Sequence, residues 1–328
     1  MALNKGIYFS ILTAFLWALD VIFVKFVANT WDIQPILFAS FTSFSAAIAL
    51  LLFAGAGRLG VDTLKQVHTW AYSCLLILYN ISFIYLLSVV SAAEASFMIR
   101  IVTVVSLILS WLFISRPPSK GDILGSIGII AAVIIIFKGV DIDLRSSALL
   151  FLLITSLLFA IRVIITETHP SSIKAKNSKD YSRVTGYVLL VTSTIFLISC
   201  LFSSFLKYFS VDDALINSLL FNMPSFSDFT HIPTVGFAIL LGIFNVSFST
   251  YFCFRSTQIV KSETFLMVVS LTPVMVLVIE YSLGMFGIMD VSSINNYTLI
   301  GGGIAFGFSM LMVIMRSRKY KNKEFTIQ

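Results

Sequence analysis

Long apolar stretches alternate with short polar breaks along the whole chain. A membrane-spanning helix needs about 20 mostly apolar residues, and ten stretches reach or approach that length. The pattern predicts ten spanning helices, near residues 6–27, 35–54, 69–90, 94–114, 121–139, 148–166, 184–208, 234–257, 263–286 and 297–315. The longest polar connection contains a short amphipathic segment, residues 211–221, which we expect to lie at the membrane interface.

Composition agrees with an all-α polytopic membrane protein. Of the 328 residues, 58% are hydrophobic and 12% are charged, whereas soluble domains carry about 25% charged residues. So little charge cannot cover a soluble globule, and the high aromatic content excludes disorder. The three cysteines, Cys74, Cys200 and Cys253, all fall in apolar stretches. The sequence therefore predicts neither a disulfide framework nor a metal site, and no cofactor is expected.

The placement of positive charge predicts the orientation, because cytoplasmic loops of membrane proteins are enriched in Lys and Arg. Four of the 22 Lys and Arg residues fall within predicted spans, and 15 of the others lie on the same side as the N-terminus. We therefore expect both termini in the cytoplasm and a basic tail at residues 317–328. Since no transit segment precedes the first span, we expect a bacterial inner membrane. Charge scattered in short clusters between spans argues against nucleic-acid binding.

The two halves of the chain resemble each other. The matches, in chain order, are residues 15–20 with 157–162, residues 80–83 with 245–248, and residues 89–104 with 259–273. The first match pairs Asp20 with Arg162, its continuation pairs Lys25 with Glu167, and the last match pairs Glu94 with Glu263. Their collinear order predicts two five-helix halves, residues 1–145 and 146–316, and the second must be inverted because five is odd. Inverted-repeat transporters bind their substrate between the halves, near the bilayer midplane.

Several short motifs carry a resemblance to a known family. They are Leu16–Trp17 with Lys25, Gln34–Pro35, residues 85–95, Ser262–Glu263 leading to Thr272–Pro273, and Gly301–Gly302. In these the chain resembles the drug/metabolite transporter superfamily, specifically its ten-helix permeases with two EamA-type halves. Val104 stands where the family has a proline in the fourth span. The resemblance implies a secondary transporter that exports or exchanges small polar metabolites, often amino acids.

Other classes of function are less well supported. Import or antiport of a nucleotide- or cofactor-like substrate would use the same architecture. No Walker A motif is present, and no filter-like loop recurs between the spans as a channel would need. A membrane enzyme would need a clustered nucleophile and base or a metal site, but the three histidines fall in loops on both sides. A GxxxG match at residues 303–307 fits either a monomer or a homodimer.

Polar and aromatic side chains inside the spans are the candidate substrate contacts. Amides offer both donors and an acceptor, and aromatic rings can stack on a cation or a ring. Interhelical hydrogen bonds and core packing are the alternative interpretation of the same residues. The candidates are Trp17, Tyr79, Asn80, Trp111, Asn245 and Tyr251.

Ionisable residues at membrane depth are functional candidates by default. Asp20, Arg100 and Glu280 all fall about 10 Å below the predicted outer ends of their helices. We expect them to form one charge cluster, which either handles substrate or protons or is a structural ion pair. Arg162 is the repeat partner of Asp20, and snorkelling of its side chain to the interface is the alternative. Pro273 is a candidate hinge because a proline frees a helical carbonyl.

Overall fold

The computed structural model describes residues 2–31, 33–55, 57–209, 223–288 and 295–326. These residues form helices and connecting segments without a β-strand. Ten helical segments are long and apolar enough to cross a membrane, which confirms the predicted all-α, ten-span architecture. The predicted interfacial segment, residues 211–221, lies outside the described residues.

Fifteen α-helices are described. They are α1 (Ala2–Trp31), α2 (Pro35–Ala54), α3 (Arg58–Leu64), α4 (Val67–Val89), α5 (Ala92–Met98), α6 (Ile101–Ile114), α7 (Lys120–Lys138), α8 (Arg145–Thr168), α9 (Pro170–Lys174), α10 (Ser178–Phe209), α11 (Ile232–Leu241), α12 (Ser247–Val260), α13 (Ser262–Val269), α14 (Thr272–Met285) and α15 (Asn296–Thr326). Spans 1, 2, 3, 5, 6, 7 and 10 are α1, α2, α4, α7, α8, α10 and α15, respectively. Span 4 consists of α5 and α6, span 8 of α11 and α12, and span 9 of α13 and α14.

Local sequence signals explain where several spans begin. Pro35 occupies the first turn of span 2, where its missing N–H is not needed, and the Gln34 side chain caps that turn. Ser119 and Asp122 form a reciprocal capping box at the start of span 5. Ser91 and Glu94 form the same motif at the start of span 4. These caps satisfy backbone donors at helix ends, where a membrane protein has few other partners.

Spans 4 and 9 are both broken at corresponding places. The first break separates Met98 from Ile101 and the second separates Val269 from Thr272. Pro273 accounts for the second break, because it has no N–H to offer the Val269 carbonyl. Span 4 carries no proline there, and its break is instead made of tighter three-residue turns. Pro273 therefore lies at the start of α14, and its role as a hinge stays a prediction.

The most extensive helix pairings link the two halves of the chain. Span 2 packs along span 7, span 5 along span 10, span 3 along span 6, and span 1 along span 8. If the two predicted halves are exchanged, the pairings of span 2 with span 7 and of span 5 with span 10 stay the same. The pairing of span 3 with span 6 then becomes that of span 8 with span 1. This arrangement is compatible with the inverted repeat, which stays a prediction. A buried apolar cluster that includes Ala14, Val102, Phe159, Cys253 and Phe265 lies where spans 1, 4, 6, 8 and 9 meet.

Span 8 contains a π-helical segment, Gly242–Val246, between α11 and α12. A wider turn of this kind displaces one residue from the regular helical face, and such segments are frequent at functional sites. Gly242 allows the segment to approach span 2, because a Cβ there would overlap the Ser45 hydroxyl and the Thr42 carbonyl. The same segment carries Asn245 on the side of span 1.

Candidate functional site

Arg162 lies in span 6, one turn after Phe159. Side chains on a helix lean toward its N-terminus, and the Arg162 guanidinium carbon lies 4.7 Å from the centre of the Phe159 ring. Arg162 is close to the C-terminal end of span 6, which is the predicted cytoplasmic end. Its guanidinium points the other way, toward the middle of the span, whereas snorkelling requires it to point toward the cytoplasmic end. The residue is only 8% exposed.

Two further aromatic rings surround this guanidinium. Its carbon lies 4.9 Å from the centre of the Tyr79 ring and 5.7 Å from that of Tyr72, both in span 3. Arginine over aromatic faces gains cation–π attraction, which is strongest when both groups are desolvated. Among the described residues, no carboxylate lies within 4 Å of Arg162. We call Arg162 with Tyr72, Tyr79 and Phe159 the Arg162 site.

Trp17 extends the aromatic surface toward span 1. Its ring centre lies 5.6 Å from that of Phe159 and 5.9 Å from that of Phe265 in span 9. Tyr79 lies 5.1 Å from Phe159 and stacks on Phe83 at 5.8 Å. The candidate residues Trp17 and Tyr79 are thus neighbours through Phe159, although they are far apart in sequence.

Arg100 lies at the break in span 4 and is 6% exposed. Its Nε donates to the Ser96 carbonyl at 3.1 Å, and its Nη1 donates to the Val269 carbonyl at 2.9 Å. The Val269 carbonyl is the acceptor that Pro273 leaves without a helical donor. The side chain of Arg100 therefore joins the break in span 4 to the break in span 9.

Glu280 has a different cationic partner from the one that its depth predicted. Its Oε1 lies 2.6 Å from Nζ of Lys25, which joins the predicted outer ends of spans 1 and 9. Arg100 makes its hydrogen bonds with carbonyl groups, and Asp20 has no cation within 4 Å among the described residues. The structure therefore does not bring Asp20, Arg100 and Glu280 together as one ion cluster.

Asp20 instead lies beside Asn245. The two side chains interact across the contact between spans 1 and 8, and Nδ2 of Asn245 also donates to the Leu16 carbonyl at 3.0 Å. The π-helical segment places Asn245 in this contact. Tyr79 lies within electrostatic range of Asp20 as well as of Arg162 and Arg100. The Asp20–Asn245 pair is therefore close to the Arg162 site.

The remaining candidates lie at other places. Asn80 is half-buried next to Tyr79 in span 3. Trp111, in span 4, is 55% exposed and is therefore on the surface of the helix bundle. Tyr251 accepts a hydrogen bond of 2.5 Å from Arg255, whose guanidinium also lies over the rings of Phe9 and Tyr181. Tyr251 packs against the same cluster as Tyr72 and Tyr79, but its hydroxyl is taken up by Arg255.

A second ionic network lies at the predicted cytoplasmic ends of spans 4, 6 and 9. Nη2 of Arg116 lies 2.5 Å from Oε1 of Glu167, and its Nη1 lies 3.6 Å from Oε2 of Glu263. Both carboxylates are almost fully buried. Glu167 also accepts the backbone N–H of Ser262 at 2.9 Å, and Nζ of Lys261 lies 3.7 Å from it. The hydrogen bond to Glu167 raises the pKa of the Arg116 guanidinium, which stays charged.

The two ionic contacts occupy related positions. Lys25–Glu280 joins spans 1 and 9 at one face, and Glu167–Arg116 joins spans 6 and 4 at the other. The predicted repeat relates span 1 to span 6 and span 4 to span 9, and it pairs Lys25 with Glu167. Sequence reasoning missed these contacts. The opposite charges at the paired positions 25 and 167 were the available signal.

Comparison with known proteins adds a family and a fold. Residues 4–138 match the model of the EamA-like transporter family. Twenty-six solved chains match the structure. One crystal structure aligns with a TM-score of 0.62 and 12% identity, over 96% of this chain and 98% of that one. At this identity the likeness shows the fold alone. No curated protein matches the chain by sequence.

Proposed function

We propose that this chain is a multi-pass secondary transporter of the drug/metabolite type that works by alternating access, and its EamA-like segment and ten apolar helices support the proposal. It exports or exchanges small polar metabolites, such as amino acids, across the plasma membrane. The observation that carries the proposal is the Arg162 site. A buried guanidinium from the second half meets aromatic side chains from the first half, and a transport site between inverted halves has this arrangement.

The two ionic contacts are the barriers in this mechanism. Lys25–Glu280 closes the path from the outer face, and Arg116 with Glu167 and Glu263 closes it from the cytoplasmic face. In this mechanism the path to the Arg162 site is closed at both faces when both contacts are formed. Alternating access requires that one barrier opens while the other stays closed, so that the substrate is never exposed to both sides.

Movement of the barriers is assigned to the broken spans 4 and 9. Arg116 follows span 4 and Glu263 opens span 9, while Glu280 lies beyond the break in span 9. Bending at the breaks changes the distance between partners at either face without unwinding further turns. Helix breaks are tolerated at membrane depth where protein covers them, and here Arg100 and the Thr272 hydroxyl both donate to the buried Val269 carbonyl.

Asp20 is the proposed proton carrier. It lies within the membrane beside a neutral amide and has no cation within 4 Å among the described residues. An isolated carboxylate in such a place favours protonation when no cation accompanies it. Asp20→Asn should therefore remove the dependence of flux on a pH gradient while exchange of substrate persists. Flux with the unaltered pH dependence in this variant would contradict the coupling role.

The orientation is part of the proposal, with both termini in the cytoplasm of a bacterial cell. Cysteines introduced at Asp143 and at Lys176, both exposed, test it in a variant without native cysteines. An impermeant maleimide added outside intact cells should label position 143 and not position 176. The reverse pattern would contradict the orientation.

Transport itself is tested by counterflow in proteoliposomes. Vesicles loaded with one unlabelled amino acid or nucleotide are diluted into the same compound in labelled form. Saturable, protein-dependent accumulation of any member of the panel is the expected result, and empty vesicles are the control. Accumulation of nucleotides alone would favour the alternative substrate class, and absence of accumulation across the panel would contradict the proposal.

A further inference from the structure

The Arg162 guanidinium has no hydrogen-bond acceptor within the described residues. A guanidinium carries five N–H donors, and the contacts of Arg162 are the ring faces of Tyr72, Tyr79 and Phe159. Ring faces attract the charge but do not replace strong acceptors. A buried cation in this state is expensive to maintain in a membrane, which indicates that its acceptor is brought by another molecule.

Arg100 and Arg255, the two other arginines inside the spans predicted from the sequence, differ from Arg162 in this respect. Arg100 donates to the carbonyls of Ser96 and Val269. Arg255 also lies over aromatic rings, but it donates to the hydroxyls of Tyr251 and Ser178 and is partly exposed. Burial within a span and aromatic neighbours therefore do not by themselves leave an arginine without acceptors.

The local charge also favours an anion. Arg162 and Arg100 both lie within electrostatic range of Tyr79, and Asp20 is the acid found in that range. Two cations and one acid leave the region with a net charge of +1 if Asp20 is ionised, and of +2 if it holds a proton. A bound anion would reduce this excess.

We propose that Arg162 binds an anionic group of the transported molecule, either a carboxylate or a phosphate, and that the rings of Tyr72, Tyr79 and Trp17 contact the part next to it. This inference rests on the proposed function. Guanidinium groups bind both anions through two parallel N–H···O bonds, whereas an ammonium binds them as a point charge. The site therefore selects substrates by an anionic group with two acceptor oxygens.

Binding of matched probes to the purified full-length protein tests the inference without transport. Benzoate, phenyl phosphate, benzamide and benzylamine share one ring and differ in the charge of its substituent. Apparent affinity is read from the rise in melting temperature with probe concentration. We expect benzoate or phenyl phosphate to stabilise the protein, and their comparison separates the two anions. Benzamide and benzylamine should have no comparable effect.

Three variants connect the effect to the residue. Arg162→Gln should weaken binding of the anion about tenfold or more, because charge-assisted hydrogen bonds are lost. Arg162→Lys should keep part of the anion-dependent rise in melting temperature, because its ammonium still binds an anion as a point charge. Arg255→Gln is the matched control, because it removes an arginine from aromatic rings elsewhere, and it should bind the anion like the wild type. Monodisperse elution of each variant confirms the fold.

The outcomes separate this inference from the proposed function. Equal stabilisation by all four probes, or unchanged anion binding in Arg162→Gln, would overturn the anion site even if counterflow occurs. Anion binding that depends on Arg162, in a protein that moves no compound of the counterflow panel, would support the site and contradict transport. Transport of cations alone by the Arg162→Gln variant at wild-type rates would also overturn the inference.

Discussion

The ionic contacts near the two ends of the helix bundle differ in construction. At the predicted outer face Lys25 pairs with Glu280 across spans 1 and 9, and the side chains are 21% and 7% exposed. At the predicted cytoplasmic face Arg116 lies between two carboxylates that are each 3% exposed, and Lys261 and a backbone N–H add to one of them. Opening of the cytoplasmic contact must separate the almost fully buried Glu167 from a side-chain donor and a backbone donor. We therefore expect this barrier to resist opening.

Native Cys253 reports on both barriers. It is buried in span 8, in the same apolar cluster as Phe159, and lies within electrostatic range of Arg162. With Cys74 and Cys200 replaced by serine, an impermeant maleimide in oriented vesicles would measure access to the centre from each side. Low labelling from both sides is expected in the parent protein, since both ionic contacts are formed.

Glu167→Gln should have the largest effect. The change removes a charge-assisted hydrogen bond to Arg116 and weakens the bond to Ser262, which together should lower stability by about 1–3 kcal/mol. Labelling of Cys253 from the cytoplasmic side should rise about tenfold or more, with no rise from outside. Unchanged labelling from the cytoplasmic side would show that this network does not close the path.

Glu280→Gln should have a smaller effect at the opposite face. Lys25 is 21% exposed whereas Glu167 is 3% exposed, so water compensates more of the loss at the Lys25–Glu280 contact. Labelling of Cys253 should rise from outside and not from the cytoplasm. The exchanged pair Lys25→Glu with Glu280→Lys should return labelling toward the parent value. Failure of the exchange to restore closure would mean that the contact acts through something other than its charges.

Glu263→Gln sharpens the comparison within the cytoplasmic network. Its Oε2 lies 3.6 Å from Arg116 and makes no hydrogen bond within the described residues, whereas Glu167 makes two. Labelling from the cytoplasm should therefore rise less than in Glu167→Gln. Glu94→Gln is the matched control, because the repeat pairs Glu94 with Glu263 but Glu94 caps its own helix. An increase equal to that of Glu167→Gln would contradict this ranking.

Pro273→Ala should have the smallest effect on closure. Alanine restores an N–H that competes with Arg100 for the Val269 carbonyl. We expect a straighter span 9 and slower interconversion between the outward-open and inward-open states, with little change in melting temperature. Counterflow rates at saturating substrate provide the measurement. Wild-type rates would exclude a hinge at this residue.

Sequence patterns predicted the number of spans because membrane thickness fixes the length of an apolar stretch. They did not predict the ion pairs, because depth along a helix says nothing about rotation around its axis. Asp20, Arg100 and Glu280 share a depth but face different neighbours. Lys25 lies close to a helix end, where snorkelling is the usual interpretation of a lysine, although Glu280 lies 2.6 Å from it.

For Arg162, the sequence did not predict the direction of the side chain along the helix. Its position near a helix end fits a side chain that reaches the interface, and the sequence left that alternative open. The direction of the side chain decides the matter, because the guanidinium lies over Phe159, one turn toward the bilayer centre. The π-helical segment that places Asn245 beside Asp20 likewise follows from packing between spans 8 and 2.

The hydrogen bond from Arg100 to the Val269 carbonyl joins the breaks of two spans from different halves. Each break alone would be an independent joint. With one backbone acceptor held by a side chain from the other joint, bending of span 9 displaces Arg100, and bending of span 4 displaces Val269. The two joints then behave as a single mechanical degree of freedom, so that opening at one face and closing at the other become parts of one movement.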